Sequence, residues 1–532
     1  MNKSILALSV ALGVAIAGMS HAAEVVPVNF DGPNEGYNDP TPAAPVAGNP
    51  GATVGIQRQI VAQFAADLWG AILQSDVPIF VGAQFNPLGA NVLGSAGSTQ
   101  AWYDHPNFPM QGTLYNAALG DALAGEDLDP GFTDITSQFS SDFTFYLGLD
   151  GATPAGQISF LDVVMHEFGH GLGFANFENE AQGTFLAGIK DIYSVYTYDN
   201  TQGLFWPDMS IAQRQASGVN YGNVVFTGAS TVAAAPLVLD PRTHLNISAP
   251  PAIAGNYQYG TAGFGPTARV QNFHGNVVVS QDASDAAGPS TTDGCSPFTN
   301  AAAVAGNIAV VDRGTCGFVV KVLNAQAAGA TGVIVANNAA GPAPGLGGND
   351  PAITIPTISL SQADGALVKG NSGVVAAIQA TGTGLQGADD AGRPRLFMPN
   401  PVQPGSSGSH FDTNLLPNAL MEPSINDSLN AAMFIDSSAN LLQDTGWTLN
   451  KGPAYINGCN TEVTIIDDAG LIVGANIIAT SNLIAATSAN KTAYMARMEA
   501  YRNSLLAANL ITGRQGGKVM QCAGKITSLA KN

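Results

Sequence analysis

Apolar and polar positions change phase along this chain in blocks short enough to mark individual elements. Residues 25–30 read as a short strand, followed by a loop rich in Pro, Gly and Asn that runs to Gly51. Ile56, Ile60, Phe64, Leu68 and Ile72 then recur every four positions, which predicts an amphipathic helix over 56–73. A strand is expected over 77–85, residues 86–130 are loop-rich, and 143–149 alternates strongly enough for another strand. Leu161, Val164, Met165 and Phe168 supply the apolar face of a second helix. Ser210-Ile-Ala-Gln213 has the form of a capping box and starts a short helix.

In the second half the pattern predicts a buried strand over 307–311, a helix over 318–328 ending at Gly329, and strands over 332–336 and 355–360. A further helix starts at Ser361. Past 450 there is a strand-like run at 463–466. Tyr494, Met498, Tyr501 and Leu505 mark a helix starting after Ser488 or Asn490.

Composition divides these elements into units. Lys3, the apolar run from Ile5 to Ala17 and Ser20-His-Ala22-Ala23 form an export leader, with cleavage expected after Ala22 or Ala23. No later run is apolar for long enough to span a bilayer, so membrane insertion is not expected. The block from 232 to 385 is rich in Ala, Gly and Val and stands apart from its flanks. The expected organisation is a leader over 1–23, a first part of a main domain over 24–231, an insert over 232–385, its second part over 386–450, and a small accessory unit over 451–532. A net charge of -20 with only 11% charged residues argues against nucleic acid and anionic membranes as partners.

The four cysteines allow three pairings. Cys295 with Cys316 and Cys459 with Cys522 is favoured, because each pair then falls in one compositional block. Structural disulfides suit an exported chain, and no close Cys-x-x-Cys pair suggests a cysteine-held metal.

The sharpest chemical signal is His166-Glu167-Phe-Gly-His170. Four residues make about one helical turn, so the two imidazoles stack on one face and can hold one cation. Neutral imidazoles suit Zn²⁺, and Glu167 follows directly, placed to deprotonate a zinc-bound water. Gly173 can end this helix in a left-handed conformation and redirect the chain.

A hydrolytic zinc site needs a third protein ligand and an open position. The extended pattern His-Glu-x-x-His-x-x-Gly-x-x-His would place it at 176, which is Asn176. His105 precedes Pro106 in a loop on the wrong side of the helix, and His244 and His274 read as exposed loop histidines. His410 is the favoured ligand, followed shortly by Ala419-Leu-Met421-Glu-Pro423, which reads as a tight turn with a buried thioether. Carboxylates at Glu178, Glu180 or Asp191 are the competing choice and would make a thermolysin-like site. The acidic positions Glu126, Asp127, Asp129 and Asp134 offer oxygens to Ca²⁺ without EF-hand spacing, and read better as a solvated surface.

Two family resemblances follow from these residues. Asp293-Gly-Cys295-Ser-Pro-Phe, Asn307 through Asp312-Arg-Gly-Thr-Cys316-Gly-Phe, and Lys321 to Ala330 resemble the protease-associated (PA) domain. That resemblance implies a non-catalytic module that restricts or recruits substrates. The zinc helix, His410 and Leu420-Met421-Glu422-Pro423 together resemble a metzincin zinc endopeptidase of the leishmanolysin type, in which an insertion separates the glycine from the third histidine.

The fold class implied is α+β: a zincin-like catalytic domain of mixed sheet plus zinc helix, interrupted by an α/β PA domain and followed by a disulfide-closed unit. The resemblance implies that His166, His170 and His410 hold one zinc per chain, that Glu167 is the general base, and that Met421 forms a Met-turn under the metal. The insertion is larger than in leishmanolysin, and no cysteine precedes the helix to serve a cysteine-based latency.

The expected function is a secreted, monomeric endopeptidase acting on proteins or peptides through a zinc-activated water. The substrate is expected to pair with an edge strand at 143–149. Two alternatives stand beside it: a secreted binding protein or adhesin keeping the helix as a structural site, and a PA-bearing aminopeptidase with a two-metal, carboxylate-rich centre.

Overall fold

The computed structural model describes residues 22–89, 92–154, 156–341, 343–348, 350–425, 429–527 and 529. The export leader lies outside the described residues apart from its last two positions. The chain divides into two compact units, Pro241–Gln386 and the remainder on either side of it.

The larger unit is built on a four-stranded sheet of β1 (Val25–Asn29), β2 (Ile79–Asn86), β3 (Gly94–Ser98) and β4 (Ile135–Ser140), in the order β1-β2-β4-β3. The first three in that order run parallel, and β3 closes the edge antiparallel to β4. The strand expected over 143–149 shrinks to Phe145–Tyr146, which pairs with Ile158–Ser159 away from this sheet. The edge strand is instead Gly-Ser-Ala-Gly-Ser, inside the stretch read as loop. Small residues carry no alternation, so only its ladder with β4 reveals it.

Helix α1 (Val54–Ile72) begins where Thr53 accepts a hydrogen bond from the Ile56 N–H. Its buried face runs through Val61, Phe64, Leu68, Trp69 and Ile72, while Ile56 is 45% exposed. Steps of four residues drift about 40° each on a helix of 3.6 residues per turn. The every-four repeat therefore winds off the core before it reaches Ile56.

Helix α2 (Phe160–Gly171) is capped by Ser159, whose hydroxyl accepts from the Asp162 N–H, and every residue in it is buried. Trp69 donates its indole N–H to the Met165 carbonyl at 3.1 Å, and Trp447 donates to Leu172 at 2.7 Å. Phe85, Phe139 and Phe160 pack ring on ring between sheet and helix. Two indole donors and an aromatic layer thus fix α2 in rotation and height before any ligand is considered.

The smaller unit is a sheet of eight strands: β5 (Pro241–Ala249), β6 (Gly255–Tyr257), β7 (Gly260–Thr261), β8 (His274–Val279), β9 (Ile308–Asp312), β10 (Gly332–Ala336), β11 (Thr357–Leu360) and β12 (Val375–Leu385). The order is β6-β5-β12-β8-β9-β10-β11-β7, parallel from β8 to β11. Helices α3 (Phe318–Ala327) and α4 (Gln362–Gly370) cover it, the latter capped by Ser361. The antiparallel pair β5 and β12 went unread in the sequence, as did β8, whose alternation is weak. The Cys295–Cys316 disulfide is formed. Beside it, the fully buried Lys321 ammonium donates to the Asp293 and Gly314 carbonyls.

The expected start of the insert shifts, while its end at 385 agrees to within one residue. The Ala-rich helix Ala229–Val238 belongs to the larger unit, because the Asp444 carboxylate accepts from the Ser230 and Thr231 N–H groups at its start. The smaller unit therefore begins at Pro241 rather than at 232.

The segment past 450 does not separate either. It holds β13 (Pro453–Ile456), β14 (Cys459–Thr464), α5 (Val473–Thr487), α6 (Lys491–Ala507) and α7 (Gly513–Ala523), with Cys459–Cys522 joining β14 to α7. Helix α5 packs on α1, where Asn482 donates to Asp67 at 3.1 Å. The segment keeps a core of its own, with Ile477 and Ile484 of α5 against Tyr494, Met498 and Val519, while belonging to the larger compact unit. Among the described residues, no helix is long and apolar enough to cross a membrane.

Candidate metal centre

His166 and His170 project from one face of α2, as the spacing requires. The turn after the helix does the rest. Gly173 takes φ +121°, the Phe174 N–H donates to the Gly169 carbonyl at 3.0 Å, and the reversed chain brings the Phe174 carbonyl to His170 Nδ1 at 2.8 Å. A Cβ on Gly173 would stand 3.0 Å from the Asn116 amide, so space as well as φ selects glycine here.

The third imidazole arrives from the far side of the chain. Phe397 N–H donates to the His410 carbonyl and Gly408 N–H to the Phe397 carbonyl, each at 2.9 Å. Phe411 then meets Phe174 edge to face with ring centres 4.9 Å apart. This backbone clasp sets His410 beside the helix. The three Nε2 atoms lie 3.0 Å (His166 to His170), 3.1 Å (His170 to His410) and 3.3 Å (His166 to His410) apart. Asn176, the position the extended motif would use, meets the same loop from the other direction, its N–H donating to Ser409 Oγ at 3.3 Å.

What each imidazole does with its other nitrogen fixes the chemistry. Nδ1 of His166 lies 2.7 Å from the Leu420 carbonyl, that of His170 2.8 Å from Phe174, and that of His410 2.9 Å from Ser406. A carbonyl oxygen only accepts, so each Nδ1 carries the proton and each Nε2 presents a bare lone pair. Burial pulls His166 down to about 4 and His410 to about 3, and burial with the two neighbouring imidazoles takes His170 well below its ordinary value.

Three neutral donors facing one another at about 3 Å repel unless a cation stands among them. Separations of this size place all three about 2 Å from a common point, the Zn–N distance. The residues present therefore fit a zinc ion.

Glu167 is buried, and its Oε2 has no hydrogen-bond partner. Burial raises its carboxyl to about 8 in the metal-free site, and a cation held by the adjacent imidazoles would favour its charged form. Above it runs β3: a Cβ on Gly94 would fall 2.5 Å from Glu167 Oε1. Met421 is fully buried, and its sulfur lies 2.7 Å from where a Cβ on Gly169 would stand. The turn that holds Met421 is self-braced. Glu422 Oε1 accepts from the Ala419 N–H at 2.8 Å and Asp436 accepts from the Leu420 N–H at 2.6 Å. That bracing aims the Leu420 carbonyl at His166.

Of the competing carboxylates, Glu178 keeps a buried, unpartnered Oε1 but does not join the three histidines in a metal-spaced group, and the other two are engaged elsewhere. Asp191 accepts from the Phe177 and Ser194 N–H groups, and Glu180 from the Asn176 amide. Among the described residues, the only grouping of three or more His, Cys, Asp or Glu with metal-ligand spacing is His166, His170 and His410. His105 stacks on Phe108 in its own loop, and His244 and His274 sit on strands of the smaller unit. In the acidic run, Asp134 accepts from the Phe80 N–H and Asp129 from Gln100.

Sequence reasoning missed Gly94 and the three backbone carbonyls. A carbonyl leaves no mark in side-chain identity, and a glycine in a run of small residues reads as loop.

Comparison with known proteins adds one firm statement: residues 273–368 match the PA domain family, so the chain carries a PA domain. Two curated relatives, each named an aminopeptidase, come from Pseudomonas aeruginosa strains UCBPP-PA14 and PAO1. Each is 50% identical over 60 residues, and the chain spans only 11% of each relative's length. Among solved structures, a zinc aminopeptidase from Bacillus subtilis aligns at 20% identity and TM-score 0.19, covering 29% of this chain and 37% of that one. A subtilisin-like protease from Pseudoalteromonas sp. AS-11 aligns at 21% identity and TM-score 0.20, covering 27% and 34%.

Proposed function

We propose that the chain is a secreted zinc endopeptidase of metzincin kind, nearest the leishmanolysin type, with a PA domain inserted between its second and third metal ligands. One observation carries the reading. Three buried imidazoles have their Nδ1 protons fixed outward on carbonyls and their Nε2 lone pairs converging within 3.3 Å, directly beside an unpartnered buried carboxylate. A purely structural metal site has no use for that carboxylate, which weighs against the adhesin alternative. Two disulfides favour an oxidising compartment, and hence export.

His166, His170 and His410 would hold the ion. A zinc ion held there would supply Lewis-acid polarisation of the scissile carbonyl and an acidified water near neutral pH. Glu167 takes the proton from the attacking water at its free Oε2 and passes it to the leaving amine. Strand β3 pairs on one side only, with β4, and its outer edge offers backbone N–H and C=O groups to an extended peptide. The substrate track is therefore assigned to Gly94–Ser98 and no longer to 143–149.

Gly94 sets how closely that track approaches Glu167. Gly94→Ala should keep the metal and lose about 10²-fold in kcat/KM, because the new Cβ displaces the carboxylate by an ångström or more. Gly97→Ala, whose Cβ would meet nothing within 4 Å, should cost far less. Equal losses in the two variants would contradict the assigned contact.

The second reading, an aminopeptidase, draws on the names of the matched relatives. Zinc content and product analysis separate the two. The purified full-length chain should contain one zinc per molecule and cut N-terminally acetylated peptides internally. Two metals per chain, with stepwise release of free N-terminal residues only, would overturn the endopeptidase reading.

A further inference from the structure

Strand β3 does not run out onto open surface. Just past its end an open recess of about 490 Å³ is lined by the polar Thr99 and Gln100 as well as by Leu114, Phe177, Leu186 and Ile189. No charged residue lines it. The walls are braced by backbone hydrogen bonds. Leu114 N–H donates to the Lys190 carbonyl at 2.8 Å, Leu186 N–H to Phe177 at 3.2 Å, and Ile189 N–H to Leu186 at 3.0 Å. Leu186 is nevertheless 50% exposed, a large apolar side chain lining the recess and open to a ligand. Rigid apolar concavities beside a reactive centre are where ligand side chains dock.

The register along β3 says which side chain this would be. Gly94 stands over Glu167, so the scissile bond lies near Gly94. Ser98 is four positions further on, about 13 Å at the 3.3–3.4 Å rise of a strand. Antiparallel pairing is the more stable way for a peptide to add to β3. A peptide so added runs opposite to the strand, so residues upstream of the scissile bond extend toward Ser98.

We propose that this recess is a specificity subsite that takes a large apolar side chain roughly three to five residues N-terminal to the cleaved bond. The inference rests on the zinc endopeptidase reading and sharpens it, because a substrate cut at its first residue has nothing to place there.

The test uses the full-length protein and a series of N-terminally acetylated peptides with Leu, Phe, Ser or Asp at each upstream position in turn. Leu or Phe at one position in that window should raise kcat/KM about tenfold over Ser or Asp, and Leu186→Asp should bring the ratio close to one. In parallel, fluorescence anisotropy of labelled, uncleavable versions of the same peptides on the Glu167→Ala protein should show the same ratio in Kd, again lost with Leu186→Asp added. No upstream preference, a preference only downstream of the cleaved bond, or a preference that survives Leu186→Asp overturns the proposal. If the wild-type protein cleaves none of the peptides, the peptidase reading falls, and the anisotropy ratio still decides whether the recess binds apolar side chains.

Discussion

A Glu167→Gln enzyme should keep one zinc per chain and lose about 10²–10⁴-fold in kcat/KM, the range set by loss of a general base. The substitution conserves volume, which matters in a helix whose every residue is buried. The Nδ1 partners of the three histidines are the backbone carbonyls of Leu420, Phe174 and Ser406, and the change touches none of them. What glutamine cannot do is accept a proton at the position of Oε2. Full turnover in the variant would remove Glu167 from the mechanism.

The same variant should titrate differently when stripped of metal. Burial raises the Glu167 carboxyl to about 8 from an ordinary value near 4.5. The folded state therefore holds the proton more tightly than the unfolded chain. The histidines, lowered by burial, act in the opposite sense in both proteins, so the stability difference of metal-free wild type minus Glu167→Gln should fall as pH rises from about 4.5 toward 8. Denaturation midpoints of both metal-free proteins across this range check the sign. A buried carboxylate kept at a cost to the apo fold is the expected trade between stability and activity if Glu167 serves as the proposed base.

The parts of this site legible in the sequence were those carried by side-chain identity at fixed spacing. His166 and His170 share a helical face whatever surrounds them, and Ser210, Ser361 and Asn490 cap helices because capping chemistry is local. The buried strands β9 to β11 showed as apolar runs for the same reason. Legibility ended where backbone or glycine carries the function. Strand β3 lies over Glu167 because Gly94 has no side chain, yet that lack is what hid the strand. Composition places helix Ala229–Val238 in the insert, while Asp444 at its N–H groups and Gln443 and Asn440 at Ser230 Oγ tie it to the main domain. Composition records what a segment is made of and says little about which hydrogen bond holds its end.

His410→Ala should lose zinc, with affinity down by more than about 100-fold. Removing a partner that only orients a ligand costs about 10–100-fold, and this change removes the ligand itself. Peptide hydrolysis should fall with it. The fold should remain, because the loop is clasped by its backbone: Phe397 to His410, Gly408 to Phe397, and Phe411 N–H to the Met421 carbonyl at 2.9 Å. None of these bonds uses the imidazole. Of the nearby carboxylates, Asp191 and Glu180 are committed to Phe177, Ser194 and Asn176, and Glu178 does not stand at metal-ligand spacing from the two remaining histidines. Two imidazoles on α2 would then face the ion with half a tetrahedron, too few for tight binding. Zinc content after dialysis against a chelator, with circular dichroism as the control for folding, measures this directly. A variant that keeps its zinc would mean that another residue completes the site. The leishmanolysin-like arrangement would then fall, while a zinc hydrolase built on His166, Glu167 and His170 would still stand.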